Sequence, residues 1–393
     1  MLQELASRNT DIKKLLDEGY EIEIRGGYLI IHHIPYVGCL ERRPSARDDG
    51  KFVIQLNLSG AQLNEPFDHT AYFVGLLPCN IDGTPLQGVV NNSSRKDLGN
   101  GLMVDHYLSN KPSSGKETSY YEKVARYESI ISRPAIAINP SLTAKTFHPI
   151  DAINSESPFM YIDTMSSRYD IQAISNKLAN DRVAIIGLGG TGSYVLDYIS
   201  KTHVKEIHLF DGDVYCAHNA FRSPGAVAEK EFERDKKKAD YFAEIYGKMK
   251  RNVISHAVFI SEDNISTLLN DYDFYFVCID DAKSRSLVVR FLATNKAPFI
   301  DTGIGLMEHD HEILGQIRTS FCEEGAEDVL NYVPTNDIPQ NDLYKTNIQI
   351  AEVNALNAAL AVIRWKQYRG FYNNLNNYHQ ITYSINDTML AKE

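Results

Sequence analysis

The sequence predicts an α/β chain in two parts: a doubly wound, mostly parallel sheet over residues 151–393, preceded by a β-rich α+β domain over residues 1–150. Three observations carry that expectation. A chain of 393 residues is long enough for two or three domains at roughly 150 residues each. Short runs of alternating apolar and polar residues fill the first part, whereas wholly apolar strands and helical periods take turns from about residue 180. A glycine-rich loop at residues 187–192 joins the first of those apolar strands to the first of those helices.

Taken in order, residues 20–25 and 28–33 read as a hairpin turning on Gly26 and Gly27. Residues 52–58 and 71–76 read as further strands, and 79–116 as loop. Residues 120–131 have the 3.6 period of a helix. In the second part, strands are expected at 182–187, 206–211, 273–280 and 298–301. Helices are expected at 191–201, 235–250 and 284–295. This βαβ rhythm implies a parallel sheet with helices on both faces, a Rossmann-like arrangement. A hairpin at 304–322, a long helix at 347–369 and a strand at 380–385 close the chain.

Lys and Arg total 40 against 51 Asp and Glu, a net charge of −11. That balance speaks against a nucleic-acid partner, whose footprint is a basic face, and against a polybasic membrane-surface protein. Hydrophobic residues at 43% and charged residues at 23% suit a packed core rather than a disordered chain. The five cysteines include no closely spaced pair, so a disulfide framework and a structural zinc are not expected, and a reducing, cytoplasmic setting is. The first residues carry no secretory pattern, and no apolar run reaches the length of a membrane span.

The loop Gly187-Leu-Gly-Gly-Thr-Gly192 follows a strand and opens a helix, where backbone N–H groups meet anionic ligands. Asp211 ends the next strand, in position to accept hydrogen bonds from ribose hydroxyls. The loop by itself does not separate NAD from ATP. The residues after it do. Asn219 and Arg222 share a face if their segment is helical, and an Arg and an amide beside a phosphate loop suit a triphosphate. Lys236, Lys237 and Lys238 stand at the start of a helix, from which one lysine could reach phosphate oxygens. The strand ending in Asp280-Asp281 sets carboxylates where open α/β sheets bind ligands, a natural place for Mg²⁺.

In this order the motifs resemble the ThiF/MoeB/ubiquitin-activating E1-like superfamily over residues 165–390. The resemblance implies an E1-type adenylation domain that uses ATP and Mg²⁺. It implies that Gly187, Gly189, Gly190 and Gly192 hold phosphates and that Asp211 binds ribose. Asn219, Arg222 and Lys238 would contact phosphates, with Lys237 an alternative to Lys238, and Asp280 would hold the metal. Arg285 matches a basic position of the family. Arg168 is the basic candidate for the arginine that, in the family, reaches across a homodimer; the family's second arginine position is Ile171 here. The implied substrate is the C-terminal carboxylate of a ubiquitin-like protein, with an E2-like carrier as a possible next acceptor.

No cysteine occupies the crossover region at 331–340. Three readings stay open: a thioester on Cys322, an oxyester on Thr335, or adenylation without a covalent intermediate. Rival substrates within the superfamily are a sulfur carrier, a peptide and a modified tRNA. An inactive scaffold subunit and a dehydrogenase are the rivals outside it. In the first domain, His32, His33, Asp68 and His69 invite a metal reading, but strand alternation places His32 and His33 on opposite faces. Recruitment or dimer packing is the expected role of that domain.

Overall fold

Gly26 and Gly27 take φ values of 57° and 82° and close a two-residue turn, so that Arg25 pairs with Tyr28 and Ile22 with Ile31. Positive φ at both central positions matches the twist of the flanking strands, and glycine adopts it without strain. The hairpin belongs to the first of two compact units in a computed structural model that describes residues 9–40, 43–59, 62–148, 157–161, 163–169, 171–324, 333, 348–375 and 378–393. The first unit comprises Met1–Ser155 with Tyr161–Gln172, and the second Glu156–Met160 with Ala173–Glu393.

In the first unit an antiparallel sheet runs in the order Ile22–Arg25, Tyr28–Leu40, Arg43–Gln55, Thr70–Val74, His106–Ser109 and Val90–Asn92. Two helices cover it. Thr10–Asp17 is capped by Asn9, whose side chain accepts the N–H groups of Asp11 and Ile12, and Tyr120–Ile138 is capped by Ser119. Their apolar stripes, with Ile12, Leu15, Tyr127 and Ile131, bury against Leu29, Ile31, Phe52 and Phe73. The stretch read as loop carries the short strands Val90–Asn92, Lys96–Asp97, Met103–Val104 and His106–Ser109. Such short strands give no readable period. The alternation argument at His32 and His33 is corrected: the pairing with Arg43–Gln55 shifts register between Ile31 and Ile34, and His33 turns to φ 55°. The bulge leaves the two rings 6.4 Å apart instead of on opposite faces.

The second unit holds an eight-stranded sheet in the order Val253–His256, Glu206–Phe210, Arg182–Ile186, Phe274–Val277, Phe299–His309, Glu312–Cys322, Gln380–Ser384 and Met389–Lys392. The first five are parallel to one another and the last three are joined antiparallel. This is the doubly wound order the sequence predicts, with the strand order reversing between Arg182–Ile186 and Phe274–Val277. The final strand, Met389–Lys392, was not anticipated; its residues are exposed and lack the apolar signal of a buried strand. The helix expected at 235–250 spans only Lys238–Tyr246, because Asp235 adopts a left-handed φ of 44° and the segment before it is a tighter 3₁₀ turn. Among the described residues no helix is long and apolar enough to cross a membrane.

Helix Gly190–Ser200 packs on one face with helix Ala351–Tyr368, and Leu196, Ile199, Ala358 and Trp365 share one buried cluster with Ile185 and Phe276. Truncating Leu196 to Ala removes apolar atoms from a fully buried site, so a loss of about 2–5 kcal/mol is expected. Trp365 is the sole tryptophan and is buried in the same cluster. Its fluorescence in a urea titration reports the change as a lowered midpoint at unchanged slope.

Candidate functional site

The site is built at the point where the strand order reverses. Strands Arg182–Ile186 and Phe274–Val277 lie side by side, and the loops leaving their C-terminal ends meet. Gly187 has φ 89°, and a Cβ there would stand 2.5 Å from the carbonyl oxygen of Cys278. Both the conformation and the close approach demand glycine. Gly190 and Gly192 are set by packing: a Cβ on the first would meet the Asn354 side chain at 2.3 Å, and on the second the Gly187 carbonyl oxygen at 1.9 Å. Gly189 differs, since its nearest neighbour would be Gln349 Oε1 at 4.0 Å. It is the glycine of the loop that leaves room for a ligand to approach the backbone at the start of the helix.

These loops floor a cleft of about 1520 Å³. Gly187, Gly189, Gly190, Asp211, Arg222, Lys238, Asp280 and Arg285 all line it; Gly192 and Asn219 do not. Asp211 ties the glycine loop down, with Oδ2 accepting the Leu188 N–H at 2.7 Å and Oδ1 the Asp213 N–H at 2.9 Å. Burial pushes its carboxyl above the usual range, while Lys238 and these N–H groups pull the other way. Each oxygen keeps a lone pair for a further donor.

The three lysines sort themselves. Lys236 pairs with Glu244, Lys237 donates to the Gly212 carbonyl at 2.8 Å, and Lys238 reaches into the cleft. There Lys238 Nζ is 2.7 Å from Asp213 Oδ2 and 3.9 Å from Asp211 Oδ1. Asn219 acts locally. It is buried, and its Oδ1 accepts the Cys216 N–H at 2.9 Å. The shared helical face expected for Asn219 and Arg222 is corrected, because the helix is only Ala217–Ala220 and Arg222 follows it in a turn closed by its N–H on the Asn219 carbonyl. Arg222 Nε is buried with no hydrogen-bond partner among the described residues, a cationic donor that an anion would satisfy.

The paired aspartates also divide their work. Asp281 caps helix Ala282–Thr294 by accepting the Ser284 N–H at 2.7 Å, which holds its carboxyl below the usual range. Asp280 is exposed to the cleft, and its hydrogen-bond partner among the described residues is Gln349 Nε2, at a long 3.5 Å. One hard oxygen donor beside cationic phosphate-type contacts fits Mg²⁺, which takes one or two carboxylates and completes its shell with phosphates and water. Arg285 lies one turn along the capped helix, its N–H on the Asp281 carbonyl.

Sequence reasoning missed the opposite wall. The hairpin Phe299–His309 and Glu312–Cys322 contributes Gly303, Ile304, Gly305, Leu306, Leu314 and Gly315 to the cleft. At its base Asp301 is fully buried and accepts from Arg318 Nη2 at 2.5 Å. The glycines at 303, 305 and 315 were the available signal. Thr335 lies outside the described residues, as does the side chain of Arg168. Cys322 is buried, and burial together with Glu323 pushes its thiol up to about 12. That disfavours the thioester reading for Cys322.

A family model described as "ThiF family" matches residues 165–390, and one described as "Domain of unknown function (DUF6791)" matches residues 10–164. The tRNA threonylcarbamoyladenosine dehydratase of Haemophilus influenzae is 29% identical over 142 residues, covering 32% of this chain and 49% of that protein. The Escherichia coli protein of the same name is 23% identical over 127 residues, covering 32% and 47%. The chain thus spans about half the length of the curated relatives it matches. Among solved structures, E. coli MccB with ATP aligns at a TM-score of 0.46 and 17% identity, covering 70% of this chain and 82% of that one.

The thiols give a direct check of the site. Iodoacetamide at pH 8 is expected to alkylate exposed Cys216 in the native chain within minutes and to leave Cys322 unmodified until the chain is unfolded, as read by peptide mass spectrometry. Rapid native labelling of Cys322 would restore it as a nucleophile.

Proposed function

The chain belongs to the ThiF family, and from that premise we propose that it is an ATP-dependent adenylyltransferase acting on the C-terminal carboxylate of a polypeptide. The observation that carries this reading is the convergence of the glycine loop, Arg222, Lys238 and Asp280 on one cleft at the reversal of strand order. A carboxylate oxygen attacks the α-phosphorus of ATP, the bond from that phosphorus to the bridging oxygen breaks, and pyrophosphate leaves with the electron pair. No general base is required, since the nucleophile is ionised at neutral pH. The N–H groups at Gly189 and Gly190 and the charges of Arg222 and Lys238 hold the phosphates in line and stabilise charge as it develops. Asp280 would hold Mg²⁺, which when bound neutralises charge on the phosphates. Asp211 orients the ribose through its remaining lone pairs.

A polypeptide end suits the cleft better than tRNA does. The wall at residues 303–307 is glycine-rich and apolar, room for an extended tail to run beside the phosphates, and the net charge of −11 opposes polynucleotide binding. A short peptide and the tail of a ubiquitin-like protein share this chemistry. Buried Cys322 favours release of the acyl-adenylate to an external acceptor over an enzyme thioester.

ATP–pyrophosphate exchange tests the reading. Exchange is expected with a polypeptide bearing a free C-terminal carboxylate, and none with its C-terminal amide or with threonylcarbamoylated tRNA. Asp280→Ala and Arg222→Ala are each expected to lower the exchange rate by about 10²–10³-fold. Exchange driven by the modified tRNA, or unchanged in Asp280→Ala, would overturn the assignment.

A further inference from the structure

The first unit gathers three metal-binding side chains that are distant in sequence. Glu21, His33 and His148 present ligand atoms that all lie within 4.8 Å of one another. His33 Nε2 stands 3.2 Å from Glu21 Oε2, and His148 Nδ1 stands 3.9 Å from the same oxygen. The backbone brings them there deliberately. Tyr20 bridges to Lys145, and the Phe147 N–H donates to the Gly19 carbonyl at 3.0 Å, which lays residue 148 beside residue 21. The bulge after Ile31 swings His33 to the same place. Two non-glycine residues with left-handed φ, His33 at 55° and Phe147 at 53°, flank the cluster. Such conformations persist where the surrounding structure insists on them, and they concentrate at functional sites.

The hydrogen bonding of His33 leaves its other ring nitrogen facing the Glu21 carboxylate. Its Nδ1 is 3.3 Å from the Asp48 carbonyl oxygen, which can only accept, so Nδ1 carries the hydrogen. Nε2 then faces the Glu21 carboxylate. A positive charge between the two atoms, a proton on Nε2 or a bound metal ion, satisfies both. A carbonyl on the second ring nitrogen is also the arrangement that orients metal-bound histidines. Ligand atoms about 2.0–2.1 Å from one ion stand roughly 3.0–3.5 Å apart. Glu21 and His33 already have that spacing, and rotation of the exposed His148 ring closes the rest. His32 is a separate pair, with Nε2 3.0 Å from Glu23 Oε2. Asp68 and His69 are engaged elsewhere, by Thr70 and Ser109.

We propose that Glu21, His33 and His148 form a divalent transition-metal site, suited to Zn²⁺, that ties the start of the first hairpin to the segment after helix Tyr120–Ile138. Two imidazoles and a carboxylate favour zinc, cobalt or nickel over Mg²⁺ and Ca²⁺, and three protein ligands leave coordination open to water.

The test is calorimetric titration of the full, chelator-stripped chain with Zn²⁺, with Co²⁺ absorption as a second reading. One Zn²⁺ per chain is expected, with loss of that isotherm and of the Co²⁺ d–d bands in His33→Ala, His148→Ala and Glu21→Gln. His311→Ala, in an exposed turn of the second unit, is expected to bind as the wild type does. Glu21→Gln keeps size and shape, and its circular dichroism spectrum is expected to match that of the wild type. No stoichiometric binding by the wild type, or binding of equal affinity in Glu21→Gln, would overturn the proposal.

Discussion

The contact on which the cleft depends is the approach of Gly187 to the carbonyl of Cys278. The Gly187 N–H donates to the Phe210 carbonyl at 2.9 Å, and the Cys278 N–H to the Ile186 carbonyl at 2.8 Å. Three neighbouring strands therefore end at one level, and their loops part to opposite sides only there. Any side chain at residue 187 would push the glycine loop away from the strand that delivers Asp280. The carboxylate and the helix N-terminus would then no longer share a cleft. Asp211 reinforces the arrangement from the third strand by accepting the Leu188 N–H.

Charge within the cleft is arranged for exchange. Lys238 is buried and held by Asp213, yet the Asp213 side chain is 55% exposed, so the pair is worth on the order of 0–1 kcal/mol. A phosphate can replace Asp213 at little cost. The buried Asp301–Arg318 pair at the base of the hairpin is the opposite case, because a charge fully out of water cannot lose its partner cheaply. One pair keeps the lysine placed until a ligand arrives, and the other fixes the wall the substrate would follow.

The doubly wound order was legible because apolar runs such as residues 183–186 and 274–277 alternate with helical periods, and because the glycine loop marks one strand–helix joint. The same joint pointed to Arg222 and Asp280, whereas Lys238 and Arg285 were expected from the family resemblance. Capping was not legible. Nothing local tells that Asp281 closes a helix while Asp280 faces the cleft, or that Asn219 spends its oxygen on the Cys216 N–H. The bulge at His33 was hidden for the same reason, since alternation assumes an unbroken ladder. Glu21, His33 and His148 meet only through tertiary pairing, and sequence spacing carries no trace of it.

The most direct measurement of the central claim is titration calorimetry of the whole chain with ATP and, separately, with NAD. The account requires one ATP site per chain, weakened at least about tenfold by Arg222→Ala, and no heat from NAD. Binding of NAD without binding of ATP would contradict it.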